Sequence, residues 1–309
     1  MAEAMAEAAL RPARAPRLAW PAPASTAPAL HHLVLCADDY GLTAGVSRGI
    51  LELLAQGRLS AVGAMTNMAP WPGLAGPLRA ARGHAAVGLH LNLTTGAPLG
   101  AMPQLAPSGA LPRLGSLLHR LLVGRTRLAA ELSAEIHRQL DAFEAAFGTP
   151  PEFVDGHQHV HVLPVVRGVL LRTLAARFAG AATRPWLRDP ADRAAAILQR
   201  RLCANKGAVV AALATGFRRA AQRAGFDTNE GFSGFSPLQA GTSAPQVMQR
   251  ALLRLGPRPL VMCHPGHADA ALRALDPAVE SRAAELAFLG SASFCCLLEQ
   301  HRIILVPRP

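Results

Sequence analysis

Lysine is almost missing from this chain: Lys206 stands alone among 309 residues, and every other basic residue is arginine. Aromatic residues are scarce too, at 5% with a single tyrosine, Tyr40. The scarcity of aromatics leaves no support for a base-stacking nucleic-acid platform. The formal net charge of +11 instead reads as a compositional bias towards arginine and alanine. The five cysteines (Cys36, Cys203, Cys263, Cys295, Cys296) show no CxxC spacing and are odd in number. That pattern points to a reduced, cytoplasmic setting rather than a disulfide framework. No apolar run approaches the roughly 18 residues that would span a bilayer. The longest, residues 207–217, reads as a buried or amphipathic helix, so no membrane span is expected.

Residues 1–30 are rich in alanine and proline and lack the apolar core of a secretory signal, so they read as a disordered tail. Residues 31–309 read as one domain. Within it, 184–223 holds nine basic residues (eight arginines, Arg188 among them, and Lys206) against Asp189 and Asp192. This segment could meet an anionic surface, but without interleaved aromatics it reads as a solvated helical face.

Past the tail, short apolar runs alternate with helical patterns. Residues 33–36, 61–65, 85–90, 153 onward, 259–263 and 303–306 read as strands. Thr43 is placed to cap a helix carrying Val46, Ile50, Leu53 and Leu54 on one face, with Gly57 as its stop. Leu132, Ile136, Leu140, Phe143 and Phe147 recur at spacings of three and four, an amphipathic helix ended by Gly148 and Pro150. Helices are also expected after Pro164, over 278–289 and over 291–300. This β-then-α rhythm predicts a parallel sheet covered by helices. The favoured form is an irregular, TIM-like (β/α) barrel, with its site at the C-terminal ends of the strands.

Three polar words follow or interrupt these strands: Ala-Asp-Asp-Tyr-Gly at 37–41, Gly-Leu-His-Leu-Asn-Leu-Thr at 88–94, and Asp-Gly-His-Gln-His-Val-His at 155–161. Adjacent strand residues point to opposite faces, so Asp38 and Asp39 can share a pocket only if the chain bends, which Gly41 would permit. One carboxylate could then hold a metal while the other accepts a proton from water. A pair of aspartates capping the following helix is the structural alternative. Asp155, His157, His159 and His161 have one parity and would share a face on a strand, with Asp155 free to orient a liganding histidine. One aspartate and two histidines make a one-oxygen, two-nitrogen site suited to Zn²⁺ or a comparable divalent ion. His264, in His-Pro-Gly at 264–266, is a candidate acid for a leaving group, with His267 a weaker one.

The words at 37–41, 88–94 and 155–161, followed by Met-Cys-His-Pro-Gly at 262–266, together resemble the YdjC-type carbohydrate deacetylases, which include the chitooligosaccharide deacetylases. Thr66-Asn67-Met68, the 95–103 loop, Thr228 to Phe232, and Arg282 with Glu285-Leu286 extend the likeness over roughly 32–306. The resemblance implies a metal-dependent hydrolase that removes acetyl from an N-acetylated amino sugar or oligosaccharide. It implies one divalent ion, Mg²⁺ or Zn²⁺, held by Asp39, His90 and His157. Asp38 would then be the catalytic base, His264 would assist the departing amine, and the chain could pair as a homodimer. Two departures stand out. Tyr40 replaces the usual phenylalanine, which would put a hydroxyl near the site, and 189–227 runs longer than in compact members, which would reshape the cleft. Trp71, Trp186, Phe232 and Phe235 are the few candidate sugar platforms. A metal phosphoesterase would want more carboxylates or a lysine clamp. A non-catalytic metal- or sugar-binding protein on the same fold is the reading from another class.

Overall fold

The computed structural model describes residues 30–276 and 278–309; the expected N-terminal tail lies almost wholly outside them. Eight strands, β1 (His31–Tyr40), β2 (Ala61–Ala64), β3 (Ala86–Leu91), β4 (Phe153–Gly156), β5 (Trp186–Leu187), β6 (Phe232–Ser233), β7 (Leu260–Cys263) and β8 (Ile303–Leu305), form one sheet. Its order is β5-β4-β3-β2-β1-β7-β6, with β8 added beside β1, and every named strand pair is parallel. The result is a parallel-strand half-barrel of the TIM-like α/β kind. The edge strands β5 and β6 approach each other through a parallel bridge from Leu187 to Thr228. Beside it, the Asn229 side-chain amide accepts from the Asp189 N–H and donates to the Asp189 carbonyl, standing in for a ladder rung.

The helices sit where the sequence pattern puts them. Ala44–Ala55 is capped by Thr43, whose side chain accepts from the Val46 N–H. Arg125–Phe147 buries Leu132, Ile136, Leu140, Phe143 and Phe147 and stops at Gly148 in a left-handed turn. Val166–Arg177, Val279–Leu289 and Ala292–Gln300 match expectation within two residues of each boundary. Ala194–Arg200, Ala204–Leu213 and Phe217–Arg223 fall in or at the end of the expected helical stretch 184–223, whereas helices at Trp71–Ala81, Leu114–Val123, Ala244–Ala251 and Ala270–Leu275 and the two-residue strands β5 and β6 have no counterpart in the sequence reading. No single helix among the described residues is long and apolar enough to cross a membrane.

Strand parity explains where the site lies. On β1, Leu33, Leu35 and Ala37 join the large core beneath the helices, whereas Val34 and Cys36 join a second cluster on the opposite face. That second cluster takes Ala61, Ala86, Phe153, Trp186, Phe232, Leu260 and Met262, one or two from each of β1 to β7. Two residues further along, or four on β3, the same face reaches Asp38 on β1, His90 near the end of β3, Asp155 on β4, Arg188 after β5 and His264 after β7. An apolar plug therefore gives way to a charged layer at the C-terminal ends of the strands.

Candidate functional site

Asp39 has the wrong parity to join this layer from a regular strand, and the backbone bends to bring it in. Its φ is +69°, Gly41 follows at +92°, and the β1–β2 register slips between Ala37 and Tyr40. A non-glycine residue in the left-handed region costs about 1–2 kcal/mol, and the bend places both carboxylates in the same pocket. A side chain at position 41 would strike the Met65 carbonyl, with Cβ 2.9 Å from its oxygen. The required bend is thus present, centred on Asp39 itself.

Asp39 Oδ1 lies 3.3 Å from His90 Nε2 and 2.8 Å from His157 Nδ1. The three residues offer one donor atom each, all within 4.8 Å of one another. Asp155 Oδ1 accepts from His90 Nδ1 at 2.7 Å, which orients the ring and turns Nε2 to Asp39; burial opposes the charged imidazole, but with these carboxylates around it its pKa is raised to about 10. Burial alone would raise the Asp39 carboxyl, but His157 and Arg282 beside it hold it well below the usual carboxylate range. Arg282, itself buried, donates to Asp39 Oδ2 and to Asp276 Oδ2, both at 2.6 Å. This charge-assisted contact occupies the carboxylate oxygen turned away from the two histidines.

Asp38 is held differently. Arg188 donates to Asp38 Oδ1 at 2.6 Å and Oδ2 at 2.7 Å, and forms an ion pair with Asp155 Oδ2 at 2.5 Å. Burial opposes ionisation of Asp38, and the Arg188 guanidinium overrides it, driving the pKa well down. His264 Nε2 stands 4.0 Å from Asp38 Oδ2. Burial pushes His264 down to about 4, so its imidazole is neutral at neutral pH. Glu285 Oε2 accepts from the His264 backbone N–H at 2.6 Å, and burial raises Glu285 to about 7.

Several expectations need correction. The histidine run is not a strand: β4 ends at Gly156, and His157–Val162 forms a 3-10 turn with Gln158 and His159 at positive φ. A strand would have carried all four polar residues to one face. The turn instead sends His157 to Asp39, packs His159 edge-on to Phe232 and Phe235, and buries His161 against the Arg188 carbonyl at 2.9 Å. Arg188 is no part of a solvated face, being wholly buried between two carboxylates. Its signal was there to read, since Trp186-Leu187-Arg188-Asp189 is a fourth polar word after an apolar pair. The Tyr40 hydroxyl does not face the site; it donates to the Leu74 carbonyl. Trp71 and Trp186 stack in the core on Phe143 and Phe153. His267 lies apart, bound to Glu52.

Asp38, Asp39, His90, His157 and His264 line one cavity of about 590 Å³. Asn92 braces its rim: its side-chain carbonyl accepts from the Thr94 and Thr95 N–H groups, while its amide donates to Asn67 Oδ1.

Sheet, charged layer and cavity together define an α/β protein with a compact aspartate–histidine site at its strand ends. The chain belongs to the YdjC-like protein family, whose model matches residues 32–300. It is 37% identical over 134 residues to the chitooligosaccharide deacetylase of Yersinia pestis (strain Pestoides F), covering 43% of this chain and 52% of that protein. The relative of the same name from Yersinia pseudotuberculosis serotype O:1b gives the same values. The chain thus spans about half the length of the curated relatives it matches. In fold it resembles a provisionally named cellobiose-phosphate cleavage protein from Enterococcus faecalis V583, with a TM-score of 0.67 and 20% identity, over 90% of this chain and 97% of that one.

Proposed function

We propose that this chain is a metal-dependent amide hydrolase that removes acetyl from an N-acetylated amino sugar or oligosaccharide. The observation that carries the reading is the convergence of Asp39, His90 and His157 beside a separately held carboxylate, Asp38. Family membership and the chitooligosaccharide deacetylase relatives support the same chemistry. The irregular barrel form and the strand-end placement of the metal site belong to this proposal.

The donor chemistry fits one divalent ion. Two imidazoles and one carboxylate suit Zn²⁺ better than Mg²⁺, which favours oxygen ligands and retained water. His90 has its second nitrogen already bonded to Asp155, as metal-liganding histidines require. Among the described residues the other such group is Cys36, Asp38 and Asp155, and the Arg188 guanidinium already bonds all three. That argues for one ion, against the two-metal arrangement of many phosphoesterases. Asp39, His90 and His157 would hold the ion, which would supply Lewis acidity to the water and to the acetyl oxygen.

The remaining work falls to the side chains. Asp38, ionised and clamped in both oxygens by Arg188, is positioned to take a proton from water. His264, neutral at rest, becomes an acid once it receives a proton. Asp38 at 4.0 Å is a source, and the departing amine is the acceptor. The test is acetate release from a panel of N-acetylated amino sugars by metal-replete protein. Release is expected in the wild type and lost in Asp38→Asn with metal still bound. Equal release by Asp38→Asn would remove the base, and silence across the panel would overturn the hydrolase.

A further inference from the structure

We propose that the acetylated sugar carries an aliphatic chain, seated in the cleft between helices Leu114–Val123 and Ala204–Leu213. This inference rests on the deacetylase reading and narrows its substrate class. The cavity above the charged layer is walled by Leu114 and Leu118 from the first helix and by Val209, Val210 and Leu213 from the second, with Leu275 at its edge. Among the described residues, no phenylalanine, tyrosine or tryptophan lines it. Thr95, Gln158, Asn205 and Lys206 line the same cavity and can hydrogen-bond a sugar, whereas the aliphatic stretch beside them offers no flat platform and suits a flexible alkyl chain.

The exposure of the wall is a second observation. Val209 is 60% exposed and Leu275 42% exposed, and the helix end beyond Leu118 carries Leu122 and Val123 at 67% and 78%. These side chains come from three separate elements and leave apolar surface facing water. Val210 is buried and Leu114, Leu118 and Leu213 also pack against the core, but Val209, Leu275, Leu122 and Val123 belong to neither core cluster. A cavity of about 590 Å³ leaves room for more than one acetamido ring.

The experiment uses the full, metal-replete chain and the methyl, butyl and hexyl glycosides of N-acetylglucosamine, kept below micellar concentration, with diacetylchitobiose alongside. Burial of one methylene is worth roughly fourfold in affinity. Partial burial of the hexyl chain should therefore raise kcat/KM for acetate release at least about tenfold over methyl, mainly through KM. Val209→Asp, at an exposed position where folding is safe, should flatten that rise. Calorimetric binding of hexyl glucosaminide, which has no acetyl to lose, should exceed that of methyl glucosaminide by a similar factor. Acetate release with no dependence on chain length, or with diacetylchitobiose preferred over the hexyl glycoside, overturns the cleft assignment and leaves the deacetylase standing. No release from any sugar, with the chain-length dependence of binding intact, overturns the deacetylase and keeps the cleft. A flat binding series overturns the cleft in either case.

Discussion

The floor and the wall of the cavity are built on opposite principles. On the floor, Asp38, Asp39, His90, Asp155, Arg188 and Arg282 are buried, and each charge meets a partner within 2.8 Å. Taking such charges out of water is expensive, and only close hydrogen-bonded pairing offsets it. On the wall, Val209 and Leu275 are aliphatic and half-exposed. A buried charge network holds one arrangement because every alternative leaves a charge unpaired. An exposed aliphatic wall tolerates many occupants. In the proposed reading the floor carries the chemistry and the wall the substrate choice.

The floor can be broken in graded ways. Asp38→Asn keeps the shape but removes the base, and acetate release should fall about 10²–10⁴-fold in a steady-state assay, with the metal content of the protein unchanged. Arg188→Met leaves Asp38 and Asp155 buried without their cation. It should cost about 3–5 kcal/mol in urea unfolding, as loss of one partner from a buried pair does. Asp155→Asn removes the acceptor that orients His90, and metal affinity measured by titration against a chelator should fall about 10–100-fold.

The smallest expected effect is one of pH. Burial raises Glu285 from 4.5 to about 7, so the folded chain holds a proton there that the unfolded chain releases. Glu285 therefore favours the folded state less and less as pH rises from about 4.5 through 7. Glu285→Gln should remove that slope, so the stability difference between variant and wild type should shift in the variant's favour across this window. Parallel curves for the two proteins would show that Glu285 does not titrate there.

The floor was largely legible in the sequence because polar residues after apolar strands are conspicuous. Asp38, Asp39, His90, His157 and His264 could each be named, and the structure brings all five to one cavity. What failed was geometry below the level of the strand. Parity on β4 was carried past Gly156 into a turn whose positive φ values at Gln158 and His159 no composition rule announces. Arg188 was hidden by its company, since a buried arginine among eight other basic residues looks like one more solvated charge. The wall was illegible for a different reason: Leu118 and Val210 at helical spacing look the same whether they face a core or a cleft. The two-residue strands β5 and β6 are too short to carry any periodicity.

The most direct test of the account strips the protein with a chelator and measures acetate release as divalent metal is returned in equivalents. The account predicts no release at the start, a linear rise, and saturation at one ion per chain, with Asp39→Asn flat throughout. Full release from the stripped protein, or saturation only at two ions, would contradict it.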